Sequence, residues 1–356
     1  MPKLKLRKIK RSARKAKLRS QWQSNIEEHV IALAPAPGKS RRLAAASASG
    51  PIFLFDNESG QVDHSLPGHG FGTMALAWHP NGLTLASCGQ DGKARLWDAA
   101  SGTQIGEVDG GTSWVENVTW LPAKGNRRPP LLATSAGRIL RIWNEQGELL
   151  HEFTDHSSTI TDMQWHTARN ELALTSYGVL TIRNPDQPDA VRKLTWQGSS
   201  LVVDWSPDGK HVATGDQDAT VHFWIMKTGN DLQMSGYATK VRELSWDHTS
   251  RYLATGGSDT VIVWDCGGKG PEGSTPIVLT GHEDLLNVLA YQHKGPLLAS
   301  AGHDGLVMLW APKEQTEELA YLACPAPISQ MAWLPNDQRI AVGADDGTVE
   351  LITVVI

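Results

Sequence analysis

The sequence predicts an all-β chain closed on itself as a single ring of short, repeated sheets, and three observations predict it. Tryptophan is heavily used, with 14 in 356 residues against 5 Tyr and 5 Phe. An aromatic residue followed by a turn recurs at Trp78, Trp120, Trp165, Trp205, Trp246, Tyr291 and Trp333, at intervals of 40 to 45 residues. A second anchor at Phe55, Trp97, Trp143, Arg183, Trp224, Trp264, Trp310 and Ile352 keeps intervals of 40 to 46. Two independent anchors with one period define a repeat unit.

Each unit divides into four β-type runs bounded by Gly, Pro, Asn and Asp turns. In the second unit they are Thr73–His79, Leu83–Ser87, Lys93–Asp98 and Thr103–Val108, strands A to D. A small sheet that is apolar on both faces must be covered by its neighbours on both sides, and radial repetition does this, giving a β-propeller. The units run over about 26–66, 69–108, 112–153, 156–196, 198–236, 238–280, 282–323 and 325–356. The last unit supplies three runs and no D strand. Residues 18–25, which precede the first A strand, are expected to pair there and close the ring, removing an edge that would invite aggregation. The expectation is one closed propeller over residues 18–356 with eight blades, seven being the alternative.

Gly68-His69, Gln90-Asp91-Gly92 and Trp97-Asp98 resemble the Gly-His, Asp-Gly and Trp-Asp signature of WD40 repeats. Gly281-His282, His303-Asp304-Gly305 and Trp310 repeat the pattern, and Trp264-Asp265 adds another Trp-Asp pair. The resemblance extends from about residue 20 to the end. It implies two structural tetrads, His69, Ser87, Asp91, Trp97 and His282, Ser300, Asp304, Trp310, each a buried hydrogen-bonded chain tying one blade together. Ser, His and Asp also make hydrolytic triads, but neither serine sits in a Gly-x-Ser-x-Gly elbow, so no catalytic residue is expected. Other units abandon the tetrad. The His position holds Gly111, Trp196, Tyr237 and Cys324 in four of them, and the unit that keeps His156 has Arg183 where Trp is expected.

Composition narrows the function. With 40% hydrophobic and 20% charged residues the chain can bury a core. No apolar run approaches the roughly 18 residues of a membrane helix, so a soluble protein without membrane insertion is expected. The first residues lack the apolar stretch and cleavage site of a secretory signal. Cys88, Cys266 and Cys324 are too scattered for a disulfide framework, which points to a reducing, cytoplasmic setting. Pro37-Gly38-Lys39-Ser40 ends like a phosphate-binding loop, but Leu33 stands where the motif needs Gly. His79, His166, His248 and His293 fall in A–B turns of separate units and cannot converge on one ion, so no metal is expected. Neither a cofactor nor a small-molecule substrate is expected.

The resemblance implies protein partners on the top face, formed by the D–A loops and B–C turns. Residues placed to reach it include Gln90, Trp114, Glu116, Gln217, Lys240, Arg242, His303 and Asp345. An exposed Trp is the commonest interaction hot spot, which singles out Trp114. The net charge of −5 conceals a split. Lys3, Lys5, Arg7, Lys8, Lys10, Arg11, Arg14, Lys15, Lys17 and Arg19 form a basic arm over residues 1–17 and the start of the closing strand, with no acid before residue 21. Beyond residue 20, 23 Lys and Arg face 38 Asp and Glu, a net −15. The first reading is a non-catalytic scaffold that gathers proteins on the top face. The alternative is an RNA- or ribosome-associated factor whose arm holds nucleic acid through residues 1–20, with strongly salt-dependent affinity.

Overall fold

A computed structural model describes residues 15–122, 129–268 and 270–356. The described structure is built of strands and turns. β1 (Lys17–Asn25) is followed by the first repeat unit, β2 (Val30–Pro35), β3 (Arg42–Ser47), β4 (Ile52–Asp56) and β5 (Val62–Leu66). The second holds β6 (Thr73–Trp78), β7 (Thr84–Gly89), β8 (Lys93–Asp98) and β9 (Thr103–Asp109). The third holds β10 (Val115–Trp120), β11 (Leu132–Ala136), β12 (Ile139–Trp143) and β13 (Leu149–Phe153). Then come β14 (Asp162–Trp165), β15 (Leu172–Arg183), β16 (Val191–Trp205), β17 (His211–Asp216), β18 (Val221–Ile225) and β19 (Asp231–Met234). The sixth unit has β20 (Leu244–Trp246), β21 (Tyr252–Thr255), β22 (Val261–Asp265) and β23 (Ile277–Leu279). The seventh has β24 (Leu286–Tyr291), β25 (Leu298–Gly302), β26 (Leu306–Trp310) and β27 (Ala320–Ala323). β28 (Ile328–Trp333), β29 (Arg339–Ala344) and β30 (Thr348–Val355) end the chain.

These strands form seven sheets, so the propeller has seven blades rather than the expected eight. Six are four-stranded antiparallel blades; the seventh is a six-stranded sheet, β14 to β19 in order, that takes in both the fourth and fifth repeat units. The cause is local. The B–C turn of unit four is so tight, with Gly178 at a φ of +79°, that β15 runs unbroken through it for 12 residues. Strand D of unit four then passes directly into strand A of unit five as the 15-residue β16, and Tyr177 pairs with Ser199 across the join. In units two and seven a His–Asp bond pins a D–A loop over a B–C turn. Here Trp196 occupies the His position, no loop is pinned, and the two units share one ladder.

β1 pairs antiparallel with β30 from Lys17 opposite Val355 to Asn25 opposite Thr348, giving the last blade its fourth strand. Trp22 on β1 stacks on Phe55 of the first blade at 5.7 Å and donates its indole N–H to the Asn57 carbonyl at 3.0 Å. Ile26, Val30, Phe55, Val349 and Leu351 share one apolar cluster across this junction. The ring is therefore closed between its first and last blades.

The A strands face the centre and carry a belt that explains why the repeat uses Trp. Trp78 donates its indole N–H to the Ala34 carbonyl of the preceding unit at 2.8 Å, and Trp333 to Ala290 at 2.9 Å. Trp165, Trp205 and Trp246 do the same to Thr119, Gln164 and Asp204 at 3.1 to 3.3 Å. Phe would fill the same space but lacks this donor. Between blades the apolar faces interdigitate, with Trp97, Trp224 and Trp310 of the C strands fully buried. Most A strands also carry a register shift near their start, as between Thr73 and Ala75 and between Val115 and Asn117. Such bulges re-aim the residues beside them, here the ends of the loops that carry the top face.

Candidate interaction surface

Two side-chain chains organise the top of the ring. Trp97 donates its indole N–H to Ser87 Oγ at 2.8 Å, and Ser87 Oγ lies 2.8 Å from His69 Nε2. His69 Nδ1 is 2.8 Å from Asp91 Oδ1. One assignment satisfies these four side chains: the hydroxyl donates to Nε2 and the Nδ1–H donates to the carboxylate, whose other oxygen pairs with Arg95 at 2.8 Å. Burial holds His69 below its ordinary pKa, so the imidazole is neutral, consistent with that tautomer. The second chain repeats the arrangement, with Trp310 to Ser300 at 2.8 Å, Ser300 to His282 at 2.7 Å and His282 to Asp304 at 2.8 Å. Both serines are fully buried and accept an indole N–H. The Ser–His–Asp geometry is that of a hydrolytic triad, but the buried serines leave a substrate no approach.

Units without the tetrad find other ties. In unit six Tyr237 replaces His, its hydroxyl lying 2.9 Å from Thr255 Oγ1 and accepting the Trp264 N–H at 2.9 Å. Burial pushes its phenol up to about 12. In unit three Trp143 donates to Thr134 Oγ1 at 2.9 Å, and Asn117 to Ser135 at 3.0 Å.

These chains of Trp, Ser, His and Asp at fixed offsets decide the family. A family model, WD domain, G-beta repeat, matches residues 60–98, 191–224, 231–265, 273–311 and 317–352, just over half of the chain. The chain belongs to the WD40 family. Among curated WD40 relatives, meiotic fizzy-related protein 1 of Schizosaccharomyces pombe is 26% identical over 236 residues, covering 52% of this chain and 55% of its own length. Anaphase-promoting complex subunit cdc20 of Dictyostelium discoideum is 28% identical over 210 residues, 55% of this chain and 41% of its own. Transcriptional corepressor LEUNIG_HOMOLOG of Arabidopsis thaliana is 24% identical over 274 residues, 75% of this chain and 33% of its own length. This chain thus spans between a third and just over half of these relatives. The crystal structure of the computationally designed Ika8 protein superposes with a TM-score of 0.76 over 96% of this chain and all of its own, at 20% identity, a likeness of fold.

The expected partner-binding residues are spread round this WD40 ring. Lys240, Arg242 and His303 come together, lining one groove of about 380 Å³ between units six and seven with Leu285 and Asn287. Its floor holds Glu243, whose carboxylate accepts the Arg242 and Gly257 backbone N–H groups and whose pKa is raised by burial. Trp114 is 52% exposed at the end of the loop before β10, with Glu116 half-buried and raised by burial two residues on. Gln90 sits half-buried on the unit-two B–C turn, its backbone N–H bonded to Gly72. Gln217 is exposed on the unit-five turn, and Asp345 of the last blade pairs with His29 at 3.0 Å. Of the basic arm, Lys15, Lys17 and Arg19 are exposed on and just before β1; Lys3, Lys5, Arg7, Lys8, Lys10, Arg11 and Arg14 lie outside the described residues. The turn histidines stay separate, with His79 on Glu145 and His293 on Asp337.

Sequence reasoning missed two residues. Phe71 is 87% exposed and holds a φ of +68°, a left-handed conformation that is costly for a bulky side chain. Tyr177, on the tight turn of unit four, is 65% exposed. With Trp114 they crown three successive units, and backbone contacts join their loops. Gln90 N–H bonds Gly72, Gly110 N–H bonds Gly92, Ile160 N–H bonds Gly137, and Tyr177 N–H reaches Ser158 Oγ. The signal for Phe71 was present, an aromatic flanked by two glycines directly after Gly68-His69.

Proposed function

We propose that this WD40 chain is a non-catalytic adaptor that holds a partner protein on its top face. The observation that carries the reading is the arc of Phe71, Trp114 and Tyr177, exposed on adjoining, hydrogen-bonded loops. Large aromatics left in water on a rigid frame, one of them in a strained backbone conformation, supply hot-spot area at little ordering cost. Curated relatives named as an anaphase-promoting complex subunit and a transcriptional corepressor support a role in protein assemblies. The groove of Lys240, Arg242 and His303 adds positive charge on another part of the same face. A cytoplasmic setting belongs to the same proposal and rests on the three free cysteines.

A photo-crosslinking residue placed at Phe71 or Trp114 in the native cell identifies the partner, and the purified pair then gives a Kd. Phe71→Ala and Trp114→Ala should each weaken it about tenfold or more. Tyr321→Ala, on the outer strand β27, serves as the exposed-aromatic control and should leave it unchanged. Equal affinity in all three variants would overturn the proposal.

A further inference from the structure

We propose that a cleft on the face opposite the aromatic arc, between repeat units four and five, binds an extended acidic peptide segment. It lies where the six-stranded sheet splays, at the end of β15 and β16 away from the Tyr177–Ser199 pair. Its volume is about 980 Å³, near the upper end of the range for ligand sites.

Its chemistry is mixed. Ile182 and Met226, both buried, form an apolar floor with the exposed Val191 beside them. Four cations line it, Arg169, Arg192, Lys210 and Lys227, against Glu171 and Asp189. Arg169 is matched by Glu171 at 3.1 Å and Lys210 by Asp208 at 2.9 Å. Arg192 donates one guanidinium N–H to the Met226 carbonyl, and among the described residues no carboxylate pairs with Arg192 or Lys227. On a body carrying −15 beyond residue 20, a cleft with two unmatched cations runs against the prevailing field. A carboxylate suits the planar fork of Arg192, and a second suits the point charge of Lys227.

The backbone favours an extended occupant. Residues Val191 to Thr195 of β16 pair with β15 on one side, while β16 meets β17 only from Ser200 onward. Among the described residues no strand pairs with the outer edge of that first stretch, and its first residues, Val191 and Arg192, line the cleft. A peptide strand can use such an edge while placing alternate side chains against the floor and the cations.

The test is selection of short random peptides on the full chain, followed by fluorescence-anisotropy titration of a selected peptide. Selected sequences should be enriched in Asp and Glu around an apolar residue. Lys227→Glu, an exposed change, should weaken the peptide about tenfold, and raising salt from about 0.01 to 0.1 M should weaken it too. Arg192→Gln, checked for folding by its melting curve, should act in the same direction. Phe71→Ala and the double change Lys240→Glu, Arg242→Glu should leave this peptide's affinity unaltered, which separates the site from the top face. Neutral or basic selected sequences, or Lys227→Glu without effect, would overturn the proposal. So would loss of the peptide in the Lys240, Arg242 variant, since the peptide then sits in the top groove.

Discussion

Ser300→Ala tests whether the buried polar chain stabilises its blade. Ser300 Oγ takes the Trp310 N–H at 2.8 Å and meets His282 Nε2 at 2.7 Å, with all three side chains buried. The substitution deletes both bonds and leaves the indole N–H and an imidazole nitrogen without partners. A hydrogen bond is worth about 1 kcal/mol net and an orphaned buried group costs about 1–3 kcal/mol, so the loss should be about 3 kcal/mol. Thr181→Val is the counterpart. The Thr181 hydroxyl is buried with no partner among the described residues, so an isosteric methyl should be neutral or stabilising by about 1 kcal/mol. Urea melts followed by tryptophan fluorescence give both values, and hydrogen exchange in β25 and β26 locates the first. The reasoning fails if Ser300→Ala costs less than about 0.5 kcal/mol, or if Thr181→Val costs as much as Ser300→Ala.

Deleting residues 1–25 removes β1, the buried Leu18 and the Trp22–Phe55 stack. It should cost on the order of 5 kcal/mol and expose the edge of β30 to self-association; an unchanged melt and a single monomer peak would refute the closure. Trp333→Phe keeps the ring but loses the 2.9 Å bond to Ala290, at a cost of about 1 kcal/mol in a urea melt. Acid and alkali should act on different groups. Burial pushes His156 and His166 down to about 4 from an unfolded 6.5, so the stability they contribute is full above pH 6.5 and is lost as pH falls through about 4. Burial pushes the A-strand carboxylates Asp162 and Asp204 up to about 6 and about 7 from 3.8, so their contribution is full below pH 3.8 and is lost as pH rises through about 7. Asp204→Asn should therefore gain on the parent between pH 4 and pH 8 in thermal melts, and a constant difference would refute the assignment.

The repeat was legible because its signal is periodic and its residues are costly to replace. Trp78, Trp205 and Trp333 could be placed at strand ends from spacing alone, and His69, Ser87, Asp91 and Trp97 from their offsets. The number of blades was not legible. Units four and five keep the ordinary intervals of 40 and 41 residues, yet spacing counts residues and is blind to whether a loop forms between two strands. Trp196 in the His position was a visible departure there, yet Gly111, Tyr237 and Cys324 fill the same position in units that keep separate sheets. The role of the indole N–H was hidden too, since a sequence shows an aromatic ring and not the carbonyl a neighbouring unit turns toward it. Phe71 escaped because its exposure depends on a left-handed φ that neighbouring glycines permit but do not dictate.

Two aromatic members of the belt lack a partner. Trp120, where unit three meets unit two, has a buried N–H with no partner among the described residues, and Tyr291, where unit seven meets unit six, has an unpartnered hydroxyl. Each of these seams lies under a candidate surface. Phe71 and Trp114 flank the first, and the groove of Arg242 and Leu285 spans the second. A protein seated across either one grips both sides of a joint tied below by a single ion pair, His79 with Glu145 in the first and Lys313 with Asp247 in the second. Any partner that binds only the closed ring stabilises it by mass action, so occupancy of either surface should raise the melting temperature.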